Sequence, residues 1–183
     1  MTITSIIISV PLRKFFRSNA FALLDIMAKV SKTKIGSING LEVKTLAVHN
    51  DDRGYLYEIV HSYELPKFGQ VYAVGDPARG AIRAFHKHDK LWDLFCIVAG
   101  SAKFAFVDDR PKSKTKGNMQ IITAGSRAPK LIIVPPGIYH GWMALEDNTL
   151  MISTASELYN QKSPDEYRID PYTYGDVWTV KGR

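Results

Sequence analysis

From Leu41 onward, short apolar runs alternate with turns rich in glycine, proline and aspartate, and this pattern restricts the fold more than any other feature. The runs have the length of strands, and β-branched and aromatic residues recur in them. Many short strands with few helical stretches predict an all-β sandwich or barrel, and paired sheets that close around a pocket make a jelly roll. We predict strands at residues 41–48, 55–60, 68–74, 81–88, 91–99, 102–107, 119–123, 131–134, 141–145 and 149–154.

Residues 1–40 have a different pattern, so we interpret them as an N-terminal extension and residues 41–183 as a single jelly-roll domain. Ile3–Val10 is an apolar, β-branched run that predicts a short strand. Apolar residues then recur at helical spacing as far as Met27, with basic residues between them, which predicts an amphipathic helix. We expect this helix to pack on the domain or on a partner subunit, and a helix on a membrane surface is the alternative.

The net charge of +6 suits a phosphorylated small ligand as well as it suits nucleic acid. No recognised nucleic-acid-binding motif accompanies it, so we expect no nucleic-acid partner.

Cys96 is the single cysteine, which rules out an internal disulfide and fits a reducing cytoplasm. No apolar run reaches the roughly 18 residues that a membrane span needs.

Histidines are the strongest functional signal in the sequence. His86 and His88 are two residues apart in a predicted strand, so their side chains point to the same face. Asp93 follows at the start of an apolar run that ends at Gly100. Downstream, an apolar strand runs into a Pro-Gly turn and then presents His140. The sequence therefore predicts a site built from two separate segments of the sheet.

The spacing of glycine, His86, His88, Asp93 and the closing glycine resembles the first motif of the cupin superfamily, and the turn before His140 resembles the second. The resemblance implies a double-stranded β-helix barrel with these side chains facing inward. Three imidazoles and a carboxylate suit a divalent first-row metal ion. One reading of the site is therefore a metal centre formed by His86, His88, Asp93 and His140.

A second resemblance covers most of the chain, from about Val43 to Trp178. Gln70 lies 16 residues before His86, and Tyr159 lies 19 residues after His140. The other pieces are Asp52-Arg53-Gly54 with Glu58, Arg83, the Pro136–Trp142 segment, and the closing stretch from Ser163 to Trp178. In order and spacing, these pieces resemble the dTDP-4-dehydrorhamnose 3,5-epimerase family, which is itself cupin-like.

This resemblance implies an isomerase that needs no cofactor and acts on a sugar linked to a nucleoside diphosphate, most often dTDP. A base with a pKa near neutral removes a proton next to a ketone, and the resemblance gives this role to His86. It gives Tyr159 the role of the acid that returns a proton from the opposite face. The enolate needs a cationic partner, which Arg83 or Lys90 could supply. The remaining predicted substrate contacts are Arg53 on the diphosphate, Glu58 and Gln70 on the nucleotide, and His88, His140 and Trp142 around the sugar.

The chain departs from the family pattern at three points. Asp93 stands where the family has a lysine, and Lys90 matches that lysine only if a gap is allowed. His88 replaces a residue that is usually glutamine. The aspartate that pairs with the base histidine has no counterpart, which leaves Asp89, Asp93 or His88 as candidates to orient His86.

These departures keep other functions open. The His86-x-His88 pair is closer to the sugar-nucleotide 3,4-ketoisomerases, and a barrel that binds a sugar nucleotide without turnover is a further alternative. Jelly rolls with exposed edge strands often pair, so we also expect a two-fold homodimer.

Overall fold

A computed structural model describes residues 33–180, so the predicted N-terminal strand and helix lie outside the described residues. The strands in chain order are β1 (Lys34–Ile35), β2 (Glu42–Thr45), β3 (His49–Asp51), β4 (Gly54–Leu56), β5 (Gln70–Asp76), β6 (Ile82–Lys87), β7 (Asp93–Ala99), β8 (Ser101–Asp108), β9 (Asn118–Gly125), β10 (Lys130–Val134), β11 (Ile138–Ala144), β12 (Thr149–Ala155) and β13 (Tyr167–Arg168). A 3₁₀ turn occupies Ser62–Glu64.

Two sheets form the barrel. The larger sheet has the strand order β1-β9-β8-β11-β6-β13, and the smaller has the order β2-β10-β7-β12-β5. Large apolar side chains from both sheets fill the space between them, among them Phe95, Phe104, Phe106, Ile132 and Met151. The predicted all-β jelly roll is therefore confirmed.

No helix among residues 33–180 has the length and hydropathy that crossing a membrane requires.

The described end of the predicted extension, residues 33–40, packs on the barrel. β1 pairs in parallel with β9, and Ile38 is buried in the core between the sheets. The interpretation of residues 1–40 as an extension stays a prediction for the residues before 33.

The predicted strand over residues 55–60 is shorter in the structure, where β4 ends at Leu56. β4 pairs only with β3, and this two-stranded hairpin joins neither barrel sheet. Its apolar side chains Tyr55 and Leu56 are exposed. Packing against the barrel core therefore does not stabilise a longer strand. An isolated hairpin is at best marginally stable in water.

The C-terminal segment covers the outer face of the larger sheet. Trp178 is buried against Phe85, and its indole Nε1 donates a hydrogen bond to the Pro171 carbonyl over 2.9 Å. Tyr174 meets the Phe85 ring edge-on. This packing stabilises the strand that carries His86 from the side opposite to the barrel interior.

β6 and β11 approach closely at Gly141. A Cβ atom at this position would lie 2.2 Å from the Cβ of Ala84 and 2.8 Å from the Arg83 carbonyl oxygen. The strands are antiparallel, and their register places His140 opposite His86. A residue without a side chain is therefore required next to His140 for the two strands to pair.

We expect Gly141→Ala to lower the free energy of unfolding by about 2–3 kcal/mol, because the added methyl group forces paired backbones apart. Gly75→Ala is the matched control, since its Cβ would meet only the Leu150 side chain at 3.8 Å. Urea unfolding measures both variants. Equal stability of the two variants would contradict the close approach of β6 and β11.

Candidate active site

A cavity of about 800 Å³ opens between the two sheets, a size typical of sites for small ligands. The larger sheet lines it with side chains from β6 and β11, and the smaller sheet with side chains from β5, β7 and β12. The loop after β12 and the segment that includes β13 complete its wall. Of the predicted site residues, Gln70, Arg83, His86, His88, Lys90, Asp93, His140, Trp142 and Tyr159 line this cavity.

Three imidazoles cluster in the cavity. The rings of His86 and His140 are edge-on with their centroids 4.6 Å apart, as expected for residues opposite each other on paired strands. The His88 ring lies 5.5 Å from the His140 ring and 6.3 Å from the His86 ring. The shared face predicted for His86 and His88 is therefore the face that lines the cavity.

Asp93 lies against two of these imidazoles. Its Oδ2 is 3.3 Å from His88 Nε2 and 3.5 Å from His140 Nε2, and its side chain is 2% exposed. Burial lowers the pKa of His88, but the Asp93 carboxylate and the Asp165 carbonyl outweigh it, so the net effect is a raised pKa. Burial and the neighbouring histidines hold the pKa of His140 well below its usual value.

His86 has the properties of a neutral base. Burial lowers its pKa to about 4, the charges of His88, Arg168 and Arg83 act in the same direction, and Glu166 opposes them. At neutral pH the imidazole is therefore unprotonated and carries a lone pair that can accept a proton.

Cations and a phenol surround the mouth of the cavity. Arg83 donates from Nε to Asp76 over 2.7 Å, which fixes the guanidinium at the cavity wall. Lys90 is exposed at the rim. Tyr159 comes from the loop after β12, and its backbone N–H donates to the Gln70 side chain over 3.1 Å. Trp142 lines the floor but is buried and stacks on Phe104, so its ring belongs largely to the core.

One group of cavity side chains has the arrangement of metal ligands. The ligand atoms of His88, Asp93 and His140 all lie within 4.8 Å of one another. His86 is outside this group, so the structure narrows the predicted set of four candidate ligands to three.

The model of one protein family, dTDP-4-dehydrorhamnose 3,5-epimerase, matches residues 36–181. The chain belongs to this family. Members of the dTDP-4-dehydrorhamnose 3,5-epimerase family are isomerases and generally need no cofactor. The predicted resemblance and the prediction of a sugar-nucleotide epimerase are both confirmed.

Two curated relatives exceed 30% identity. The spore coat polysaccharide biosynthesis protein SpsL of Bacillus subtilis is 38% identical over 151 residues, which cover 80% of this chain and 99% of the relative. A probable low-salt glycan biosynthesis epimerase of Haloferax volcanii is 33% identical over 142 residues, which cover 74% of this chain and 89% of the relative.

Solved structures show the same fold. The 3,5-epimerase RmlC from Legionella pneumophila in complex with dTDP-4-keto-L-rhamnose has a TM-score of 0.71 at 19% identity, covering 81% of this chain and 83% of that one. The 3'-monoepimerase ChmJ from Streptomyces bikiniensis in complex with dTDP-quinovose has a TM-score of 0.68 at 21% identity, covering 76% and 74%.

In this protein, two of the predicted substrate-binding residues lie away from the cavity of their own chain. Arg53 is at the tip of the β3–β4 hairpin, where its side chain is 89% exposed and pairs with Asp51. Glu58 follows the hairpin and contacts His61 over 3.2 Å. Neither residue lines the cavity of its own chain, because the hairpin is separate from the two barrel sheets, and their contacts with substrate stay a prediction.

Five residues of the 163–168 segment line the cavity, and the sequence analysis assigned a site role to none of them. β13 pairs with β6 so that Arg168 lies opposite His86, and Glu166 precedes it. The Asp165 carboxylate accepts hydrogen bonds from the backbone N–H groups of residues 89–91. The Asp165 carbonyl oxygen contacts His88 Nδ1. Asp165 therefore orients His88, a role for which the sequence analysis offered no candidate.

Proposed function

We propose that this enzyme epimerises a 4-keto-6-deoxy sugar linked to dTDP, at a carbon next to the ketone. Family membership supports the substrate class, since relatives with the same fold are bound to dTDP-linked sugars. The observation that carries the proposal is the neutral, half-buried His86 in a cavity that also holds Tyr159.

The two proton-transfer groups come from opposite sheets. His86 is on β6 of the larger sheet, whereas Tyr159 follows β12 of the smaller sheet and is tied to Gln70 at the start of β5. A sugar held between them presents one face to the imidazole and the other to the phenol. Removal of a proton by His86 and donation by Tyr159 would therefore invert the carbon between them.

Charge at the rim suits the rest of the substrate. Removing a proton next to the ketone moves negative charge onto the ketone oxygen, which Arg83 or Lys90 is placed to stabilise. Arg168 adds a third cation on the same cavity wall, and its guanidinium pairs with Glu166 over 3.0 Å. We propose that these cations also attract the diphosphate, and that the proton transfers themselves use only side chains of the protein.

The exposed hairpin bears on the oligomeric state. We propose that the chain forms a homodimer through the β3–β4 hairpin, because Tyr55 and Leu56 are exposed apolar side chains on an element that lacks barrel contacts. Arg53 and Glu58 would then bind the diphosphate and nucleotide in the cavity of the second copy.

The single cysteine is consistent with a cytoplasmic location, which we propose for the enzyme.

We expect His86→Asn to slow exchange of the substrate's C–H hydrogens with deuterated water by about 10²–10⁴-fold, because the base is lost. The substrate is dTDP-4-keto-6-deoxyglucose, and proton NMR follows both exchange and epimer formation. Tyr159→Phe should retain exchange but lose epimer formation, since His86 can return deuterium to the face it attacked. Tyr167→Phe is the matched control, because Tyr167 is exposed on β13 and does not line the cavity.

Exchange at the wild-type rate in a folded His86→Asn variant would contradict the assignment of the base. A product whose ketone has moved to the neighbouring carbon would instead identify a 3,4-ketoisomerase.

Sharing of Arg53 between subunits can be tested with a mixture of two impaired variants. Arg53→Ala and His86→Asn dimers should each have low activity at a substrate concentration below KM. When subunits exchange at random, the mixture should recover about a quarter of the wild-type rate, because half of the dimers are mixed and each has one intact site.

Absence of recovery, with subunit exchange verified by native mass spectrometry, would mean that Arg53 does not serve the partner. A sedimentation mass of one chain would contradict the dimer itself.

A further inference from the structure

Two buried hydrogen-bond acceptors face the inner end of the cavity. Asp93 begins β7 of the smaller sheet, His140 lies in β11 of the larger sheet, and both side chains line the cavity. Only 2% and 3% of these side chains is exposed. Removal of a proton by His86 and its return by Tyr159 use neither group, so the two acceptors need a role of their own.

His140 presents a lone pair to the cavity. Its Nδ1 lies 3.0 Å from the Ile138 carbonyl oxygen. A carbonyl oxygen only accepts hydrogen bonds, so Nδ1 carries the proton, and in the neutral ring Nε2 is then an acceptor. This Nε2 is buried and has no hydrogen-bond partner among the described residues.

Asp93 has one paired and one unpaired carboxylate oxygen. Its Oδ2 is paired with His88 Nε2 over 3.3 Å, and His88 Nδ1 contacts the Asp165 carbonyl oxygen. Both nitrogens of His88 therefore face acceptors, which suits a protonated ring and agrees with its raised pKa. Tyr72 from β5 also faces the Asp93 carboxylate. Nevertheless, Asp93 Oδ1 is buried without a hydrogen-bond partner within residues 33–180.

The two unpartnered atoms need hydrogen-bond donors. Both are acceptors, so they do not satisfy each other, and a buried polar atom without a partner is costly. A hydroxyl group has one hydrogen to donate, so two adjacent acceptors match two hydroxyl groups on neighbouring carbons. The side chains are adjacent, since Asp93 Oδ2 lies 3.5 Å from His140 Nε2. A ketone oxygen has no hydrogen to donate and is unfavourable at the same place.

We propose, building on the proposed function, that Asp93 and His140 bind two neighbouring hydroxyl groups of the sugar and so select a substrate that keeps both. In a 4-keto-6-deoxy sugar these are the 2-hydroxyl and the 3-hydroxyl. The edge of the ring that carries them then points to the inner end of the cavity. The ketone lies away from the Asp93 carboxylate, which leaves the cations of the cavity as its partners.

The test measures equilibrium binding of sugar nucleotides without a ketone, so it does not depend on turnover. Calorimetry with full-length wild-type protein gives the Kd of dTDP-6-deoxyglucose and of dTDP-4,6-dideoxyglucose. These two should differ by less than about threefold, because the 4-position does not face the acceptors. Further removal of the 2-hydroxyl or the 3-hydroxyl from the dideoxy sugar should weaken binding by about 10–100-fold, since an acceptor is then buried without a donor.

Two variants connect these losses to the acceptors. Asp93→Leu and His140→Phe each remove one acceptor, so each should abolish the loss of affinity for one of the two hydroxyl groups. Tyr159→Phe is the matched control, because it removes a hydroxyl group from another part of the same cavity, and it should keep both losses. Circular dichroism checks that each variant is folded.

Equal affinity of the wild-type protein for the sugars with and without the 2-hydroxyl and 3-hydroxyl would overturn the proposal, because something other than the sugar would then satisfy the acceptors. So would full losses of affinity in both Asp93→Leu and His140→Phe. Failure of dTDP-6-deoxyglucose itself to bind would instead contradict the substrate class of the proposed function, and the hydroxyl site with it.

Discussion

The pairing of β6 with β11 is the constraint on which the site depends. It places His140 opposite His86, and it requires Gly141 because any side chain there would meet the backbone of the facing strand. The two sheets then close over these imidazoles, and the C-terminal segment packs on the outer face of β6 through Trp178. The strand that carries the proposed base is thus held from both sides.

Burial divides the cavity into two regions with different electrostatics. At the inner end, the low exposure of His140 and Asp93 excludes water, which strengthens the effect of every charge on its neighbours. His86 stays neutral there because charging a buried imidazole beside other imidazoles and arginines is unfavourable. At the rim, Arg83, Lys90 and Arg168 are at least partly exposed and are suited to phosphate. A sugar nucleotide has a matching division, with an uncharged sugar and an anionic diphosphate.

Departures from the family pattern are concentrated at the inner end. His88 and Asp93 both differ from the residues that the family resemblance implies, and the structure places them in contact with each other over 3.3 Å. Replacing a lysine by an aspartate removes a cation and adds an anion, so the balance of charge around the substrate ketone must be restored by other groups. Arg83, Lys90 and Arg168 are the positively charged side chains that the described residues offer to the cavity.

Most of the fold and part of the site could be predicted from the sequence, because both depend on local patterns. Period-two spacing was enough to place His86 and His88 on one face, and the Pro-Gly turn marked the strand that presents His140. Arg53 and Glu58 could not be placed, since nothing local shows that their hairpin leaves the barrel. Arg168 was missed because β13 has two residues, too few for periodicity, and is defined only by its pairing with β6.

The most direct test of the account is a crystal structure of the His86→Asn variant with a dTDP-linked 4-keto-6-deoxy sugar. The account predicts that the sugar lies between the side chain at position 86 and Tyr159. One carbon next to the ketone should face both side chains, from opposite sides of the ring, and the diphosphate should lie among the cations at the rim. A sugar bound outside the barrel, or one with Tyr159 and position 86 on the same face of the ring, would contradict it.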